Sequence, residues 1–508
     1  MRINIILSVV FLFINYKFFY FVHVQNKDIL ILLYEIVVYF VIFLFLLNLF
    51  SFSKLLNRVW SILLLIIALF EVYFINTMGI EINKQIIKNV VATSYGETFE
   101  LLGIDFALYI FTAVIFIYLL HKFAISEFKR VRIIRYIINT ILLITIFFGL
   151  TKINNTVYRK FIKNDTPKVA PINFFPAMER YINTKARDEQ IIKKNISDNF
   201  SYNNDKNNTK PIISVMIIGE STRGDRFAIN GYDKQTTPKL SQNKNIITFP
   251  NATSCDTSTL SSVPCMLLRY TKKEFSFPID ETSFVQVFKD NNFDTYWLTL
   301  QDEAQSIKTF CEEAQECIDM HHKKYDMDLL EKFNKIVSSV TKDTLIVLHT
   351  MGSHYDYNVR VPVEYKKFQP IYTKNYTQDK AKLDNSYDNT ILYIDSFLDN
   401  IAKSLENKNA FFLFSSDHGE SLGEKQYGVF AKYGHAAPYD IAPKEQINVP
   451  FIVWFSPIFK ENNKKIQSLS TVNKKIISHD NIFSTMLGCA GFKGSHINNK
   501  LNICGDSF

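Results

Sequence analysis

Apolar positions run through this chain in two rhythms. Over the first 150 residues Ile, Leu, Phe, Val and Tyr form five long runs, approximately 3–22, 29–50, 59–76, 101–120 and 133–150. Each reaches the roughly 17–25 residues that a helix needs to cross a bilayer. From residue 210 the runs shorten. Segments 212–218, 293–300, 344–349, 410–416 and 449–455 are β-branched and aromatic, and stretches of helical period separate them. Continuous apolar strands divided by helices predict a central, mostly parallel sheet covered on both faces. The expected architecture is therefore α/β. A five-helix transmembrane domain occupies 1–151, an amphipathic and linker segment 152–209, and one large sheet domain 210–508. The linker ends in S-Y-N-N-D-K-N-N-T-K, too polar to bury.

Charge orients the expected membrane part. Lys54 and Arg58 lie between runs two and three, and Lys122, Lys129, Arg130 and Arg132 between runs four and five, with Arg135 at the start of run five. The connection at 77–100 carries two Lys against three Glu. Basic loops stay cytoplasmic, so the N-terminus is cytoplasmic, and an odd number of spans puts everything after residue 150 on the far side. The first run has Arg2 before an apolar core, as a signal peptide would. No small-residue cleavage site follows it, so it reads as a retained anchor. The net charge of +8 is mostly Lys spread along the chain, not a nucleic-acid footprint. All six cysteines, Cys255, Cys265, Cys311, Cys317, Cys489 and Cys504, follow the last span in three sequence-local pairs. That spacing predicts disulfides in an oxidising compartment.

In a parallel sheet, functional groups gather past the carboxyl ends of the strands. Here those ends carry Glu220-Ser221-Thr222, Gln301-Asp302-Glu303 with Lys308 beyond, His349 and His354, and Asp417-His418-Gly419-Glu420. Glu220, Asp417 and His418 with one hydroxylate oxygen would complete a tetrahedral zinc site. Such a metal polarises a hydroxyl that is otherwise a poor nucleophile near neutral pH. The hydroxyl comes from C-D-T-S-T-L-S-S-V-P-C at 255–265, which offers Thr257, Ser258, Thr259, Ser261 and Ser262. Spacing alone does not rank them. Lys308, His354 and His435 are suited to holding phosphate oxygens or passing protons. Two other readings stand beside this one. A lone Asp-His is most often an ordinary polar loop. G-E-S-L-G at 419–423 also fits a serine-hydrolase elbow with Ser421 as nucleophile. Yet Asp417-His418 intervene after the strand, and G-E-K-Q-Y-G opens a helix poorly.

Taken together, the motifs resemble the membrane phosphoethanolamine transferases that modify lipid A and related surface glycans of Gram-negative bacteria, a group that includes transferable colistin-resistance enzymes. The resemblance rests on I-I-G-E-S-T-R…N-G-Y (217–232), N-A-T-S-C-D-T-S-T-L-S-S-V-P-C-M (251–266), L-H-T-M-G-S-H (348–354), S-D-H-G-E-S-L-G-E (416–424) and A-P-K-E-Q (442–446). It implies an alkaline-phosphatase-like (sulfatase-like) periplasmic domain behind five inner-membrane helices. It places Glu220, Thr259, Asp417 and His418 at the zinc positions, with Thr259 the nucleophile that accepts phosphoethanolamine. It implies one tight zinc, with room for a second, substrate-linked one. Lys308, His354 and His435 fall at substrate-phosphate positions, with His349 nearby. The implied donor is phosphatidylethanolamine, and the implied acceptor is lipid A or another surface glycan, handled by a monomer. Other metal-dependent enzymes of the same fold, a sulfatase or a glycerophosphate transferase, are the nearest alternatives.

On the membrane side, Asn89, Thr93 and Glu97 recur at i, i+4 and i+8. A helix would align them as a solvated stripe or, by the resemblance, as a polar site for the lipid headgroup. Cys255–Cys265 and Cys311–Cys317 fit pairings of the family, and Cys489–Cys504 is an additional C-terminal pair. Asp256 stands where the family commonly has Gly.

Overall fold

The computed structural model describes residues 2–77, 82–92, 104–124, 132–153, 169–188, 192–202, 210–302, 305–372, 379–426, 430–437, 439–461, 463–467, 469 and 473–508. The chain divides into two units. Met1–Val91, Leu102–Asn183 and Lys425–Lys432 form one, and Ala92–Leu101, Thr184–Glu424 and Tyr433–Phe508 form the other.

The first unit is helical. Its first apolar run is broken into Arg2–Ile14 and Tyr16–Asn26. The break falls at Asn15, whose buried amide donates to the carbonyls of Phe11 and Ala170 while its oxygen accepts the Ala170 N–H. Longer helices follow at Ile29–Asn48, capped by Asp28, then at Lys54–Thr77, Ile104–Ala124 and Ile133–Ile153. Among the described residues three are long and apolar enough to cross a membrane, namely Ile29–Asn48, Lys54–Asn76 and Ile133–Lys152; Ile3–Ile14 and Leu108–Leu119 are shorter apolar segments. Phe11, Phe43, Leu47, Leu64 and Ala68 pack the interior, whereas Ile134, Ile138 and Ile141 face outward. An outward apolar face suits helices whose solvent is lipid. Within the amphipathic and linker segment expected at 152–209, Phe174–Asp188 is a helix.

The second unit is built on a seven-stranded sheet: β1 (Ile212–Gly219), β2 (Ile246–Thr248), β3 (Asp294–Thr299), β4 (Glu316–Asp319), β5 (Thr344–His349), β6 (Asn409–Ser416) and β7 (Phe451–Phe455). Their order is β2-β7-β6-β1-β5-β3-β4. The five strands from β6 to β4 run parallel, and β7 is antiparallel to both β6 and β2. All five apolar runs of the sequence are strands. The two edge strands, β2 and β4, are too short for a run to mark them.

Both faces of the sheet are buried, which is why these strands lack alternation. On β1, Met216 and Ile218 join one core with helices Thr259–Leu267, Phe284–Asp290 and Asp480–Ala490. Ile213, Val215 and Ile217 join the other, with Leu329–Ser339 and Lys380–Leu405. Disulfides link Cys255 to Cys265, Cys311 to Cys317 and Cys489 to Cys504. The second fastens helix Gln305–Cys311 to β4.

Candidate active site

β1 and β6 are parallel neighbours paired in register from Ile212↔Asn409 to Gly219↔Ser416. They therefore end level, and the residues just beyond them, Glu220 and Asp417-His418, come together. Glu220, Asp417 and His418 are buried, and their ligand atoms all lie within 4.8 Å of one another. Ser221 turns the chain here through φ 55, in the left-handed region that costs a non-glycine residue strain. That turn aims its N–H at Asp417 Oδ1 (3.1 Å) and its hydroxyl at Glu220 Oε1 (2.7 Å). Gly352 presses against the same corner, where a Cβ would stand 2.7 Å from the Glu220 carbonyl oxygen. Asp417 is thus held by backbone N–H groups, and Glu220 by the hydroxyl of the strained Ser221.

The nucleophile segment enters from the side. Ser258 precedes helix Thr259–Leu267, so Thr259 opens that helix. Of the five hydroxyl residues between the cysteines, Thr257, Ser258, Ser261 and Ser262 are buried and Thr259 alone is part-exposed. Thr257 donates to the Ala437 carbonyl and Ser262 to that of Asp417. Thr259 Oγ1 lies 3.1 Å from Glu220 Oε2, to which it donates, and 3.3 Å from His418 Nε2. The helix N-terminus behind it favours negative charge on that oxygen.

The proton on His418 follows from its partners. Nδ1 lies 2.8 Å from the Gly419 carbonyl, which can only accept, so the ring proton sits on Nδ1. Nε2 then points a lone pair at Asp417 Oδ2 (3.3 Å), Glu220 Oε1 (3.5 Å) and Thr259 Oγ1. Asp417 Oδ2 is buried with no hydrogen-bond partner. Burial and the Glu220 carboxylate beside it push the Asp417 carboxyl well above its ordinary range. Two carboxylates, an imidazole lone pair and a hydroxyl converging on one point form a donor set that a divalent cation would satisfy.

A more open ring of groups surrounds this centre. His435, half-buried, has Nδ1 2.8 Å from Glu420 Oε2, and its ring centroid is 4.1 Å from that of His418. Glu420, buried, also accepts from the Tyr357 hydroxyl (3.0 Å). His418, Glu420 and His435 form a second constellation with metal-ligand spacing. His354 has Nδ1 2.6 Å from the Tyr355 carbonyl oxygen, with Arg360 alongside at 3.3 Å. Burial and the Arg360 charge bring His354 down to about 4, so it is neutral at working pH. Lys308 is exposed on helix Gln305–Cys311.

Other candidates are placed differently. His349 is fully buried on β5 with its ring edge-on to Trp297. Ser421 is no elbow. It opens strand Ser421–Gln426, is buried, and its Oγ accepts from the Gln446 amide (3.0 Å). Asn89 lies in helix Lys84–Ala92, and Thr93 and Glu97 lie outside the described residues. Sequence reasoning assigned no role to Gln301, whose amide donates to Glu220 Oε2 (3.1 Å), to Glu420, or to the buried His479. Gln301 and Glu420 stand at strand ends, and that position was the available signal.

Comparison with known proteins defines the class first. Residues 213–492, more than half of the chain, match the sulfatase family, and residues 39–186 match the family described as phosphoethanolamine transferase EptA/EptB. The phosphoethanolamine transferase EptA of Salmonella typhimurium is 29% identical over 476 residues, covering 87% of this chain and 84% of that protein. The Kdo(2)-lipid A phosphoethanolamine 7''-transferase of Escherichia coli is 26% identical over 492 residues, covering 88% and 86%. The integral membrane lipooligosaccharide phosphoethanolamine transferase A of Neisseria meningitidis superposes with a TM-score of 0.85 at 26% identity, over 99% of this chain and 98% of that one. The chain belongs to the sulfatase family and, within it, to the membrane phosphoethanolamine transferases.

Proposed function

We propose that this protein moves phosphoethanolamine from phosphatidylethanolamine to lipid A, or to another lipopolysaccharide or lipooligosaccharide acceptor, through a covalent intermediate on Thr259, with zinc held by Glu220, Asp417, His418 and Thr259. The observation that carries this reading is the single part-exposed hydroxyl, 3.1 Å from Glu220 Oε2 and 3.3 Å from His418 Nε2, at a helix N-terminus. When bound, zinc would lower the pKa of that hydroxyl and neutralise charge on the donor phosphate.

The chain's own groups do the rest. Thr259 Oγ1 forms a bond to phosphorus as the bond from phosphorus to the glycerol oxygen breaks. The departing oxygen takes a proton and leaves as diacylglycerol. His435 is suited to supply it, because Glu420 orients Nδ1 and leaves Nε2 for transfer. The acceptor oxygen then attacks the phosphothreonine and restores Thr259. Lys308 and His354 bind phosphate oxygens, with His349 behind them on β5. Beside the tight site, a second, substrate-linked zinc would add charge neutralisation at the donor phosphate.

The membrane part is read as five helices over 1–151 with a cytoplasmic N-terminus. Residues 152–209 link it to a periplasmic catalytic domain at 210–508 of a monomeric inner-membrane enzyme. The basic loops and the three disulfides support that topology. Asn89, Thr93 and Glu97 receive the donor headgroup. Intact-mass analysis after incubation with phosphatidylethanolamine tests the chemistry. One phosphoethanolamine adduct on wild type and none on Thr259→Ala is expected, and an adduct on the variant would refute the assignment. Mass spectrometry of lipid A from cells with and without the protein identifies the acceptor.

A further inference from the structure

His479 takes no part in the chemistry above, yet it joins the two segments that carry it. It is buried at the head of helix Asp480–Ala490. Its backbone N–H donates to the Thr253 carbonyl (3.1 Å), just ahead of the nucleophile segment. Its ring reaches the other way. Nε2 lies 2.9 Å from the Ser416 carbonyl and 3.3 Å from Ser415 Oγ, the last two residues of β6 before Asp417. Nδ1 accepts the Cys255 N–H at 3.1 Å, and Ser262 Oγ is 3.3 Å away.

Those partners leave one arrangement of the ring. The Ser416 carbonyl can only accept, so Nε2 carries the proton. The Cys255 N–H can only donate, so Nδ1 is the lone pair. Burial brings His479 down to about 3, consistent with a neutral ring. Ser262 shares the link, because its hydroxyl also donates to the Asp417 carbonyl. The loop that presents Thr259 and the strand end that presents Asp417 and His418 thus meet on one imidazole. An apolar side chain could fill the same volume, but it would leave the Cys255 N–H and the Ser416 carbonyl without these bonds.

We propose that His479 is a positioning residue for the transfer reaction, setting the distance between the Thr259 hydroxyl and the Asp417-His418 pair. This rests on the reading of Thr259 as nucleophile. Small displacements matter here, since an error of about 1 Å in a reacting group can cost roughly 100-fold in rate. The role differs from ordinary core packing in what it predicts for conservative replacements. Asn can keep the acceptor for Cys255, and Gln can keep the donor to Ser416.

The experiment uses the full-length, zinc-loaded protein in detergent, comparing wild type with His479→Leu, His479→Asn and His479→Gln. Four quantities are measured: the rate of adduct formation at saturating phosphatidylethanolamine, KM for that lipid, zinc bound per chain, and the thermal midpoint. His479→Leu is expected to form the adduct about 100-fold more slowly, with KM and zinc content close to wild type. Asn and Gln each recover part of the rate. Wild-type rates in all three variants would overturn the proposal. So would a rate loss that simply follows the folded fraction or the zinc content. Absence of any adduct on wild type would instead strike the assignment of Thr259. Positioning by His479 would then be judged from headgroup-transfer rates of the same variants.

Discussion

The inner and outer halves of the site are built on different principles. Inside, Glu220, Asp417 and His418 are buried at the ends of two paired strands; backbone groups fix Asp417 and His418, and the Ser221 hydroxyl and Gln301 amide hold the Glu220 carboxylate. Outside, His354 and His435 are half-buried on loops, and Lys308 is exposed on a short helix. Activating an oxygen demands fixed distances, because preorganised charge acts without rearranging. The proposed transfer, from a bulky lipid to a glycan acceptor, demands room. The inner half supplies the first and the outer half the second.

That contrast breaks first at the centre. Asp417→Asn or Glu220→Gln should lower headgroup transfer by at least about 1,000-fold, on the order of 4 kcal/mol. Metal analysis should show the tight zinc lost with it. His435→Ala comes next, with a fall of about 100-fold, the low end for a proton-transfer group, carried by kcat. Lys308→Ala should act mainly on KM for the lipid, by about tenfold, since an exposed group contributes binding more than transition-state geometry. A KM effect at Asp417 with kcat intact, or a kcat effect at Lys308, would erase the distinction between the halves.

Two smaller effects sharpen it. Asp326 is buried and accepts the N–H groups of Met351 (2.8 Å) and Gly352 (3.2 Å), so it supports the loop that ends in His354. Burial raises its carboxyl from 3.8 to about 6. The folded protein therefore favours the protonated acid, and that stabilisation fades as pH rises from about 3.8 through 6. Asp326→Asn lacks this dependence. Between pH 4 and 8 its thermal midpoint should improve relative to wild type, by on the order of 3 kcal/mol of linked stability; a constant difference across that range would contradict the assignment. Ser421→Ala should cost on the order of 1 kcal/mol of stability, through the hydrogen bond from Gln446, and leave adduct formation unchanged.

Much of the inner half could be read from the chain because its residues sit where apolar runs stop. Glu220 follows Ile212–Gly219 and Asp417-His418 follow Asn409–Ser416, and parallel strands bring such ends level. The choice among five hydroxyls could not be read that way. It depends on which side chains the loop buries, and those contacts are made with Ala437 and Asp417, far along the chain. His479 was invisible for the same reason. Its side-chain partners include backbone groups at Cys255 and Ser416, which any residues at those positions would offer. In the membrane unit, hydropathy marked the apolar runs but not the break at Asn15, which answers to Ala170, more than a hundred residues away.

The burial of Thr257, Ser258, Ser261 and Ser262 around a part-exposed Thr259 has a further effect. A segment crowded with hydroxyls invites mixed products, in which a reactive phosphoryl group migrates from one oxygen to the next. With the neighbouring oxygens withdrawn from the open side, a phosphoryl group on Thr259 would have no adjacent exposed oxygen to hop to. In the proposed mechanism the loop would therefore keep the intermediate chemically uniform until an acceptor arrives.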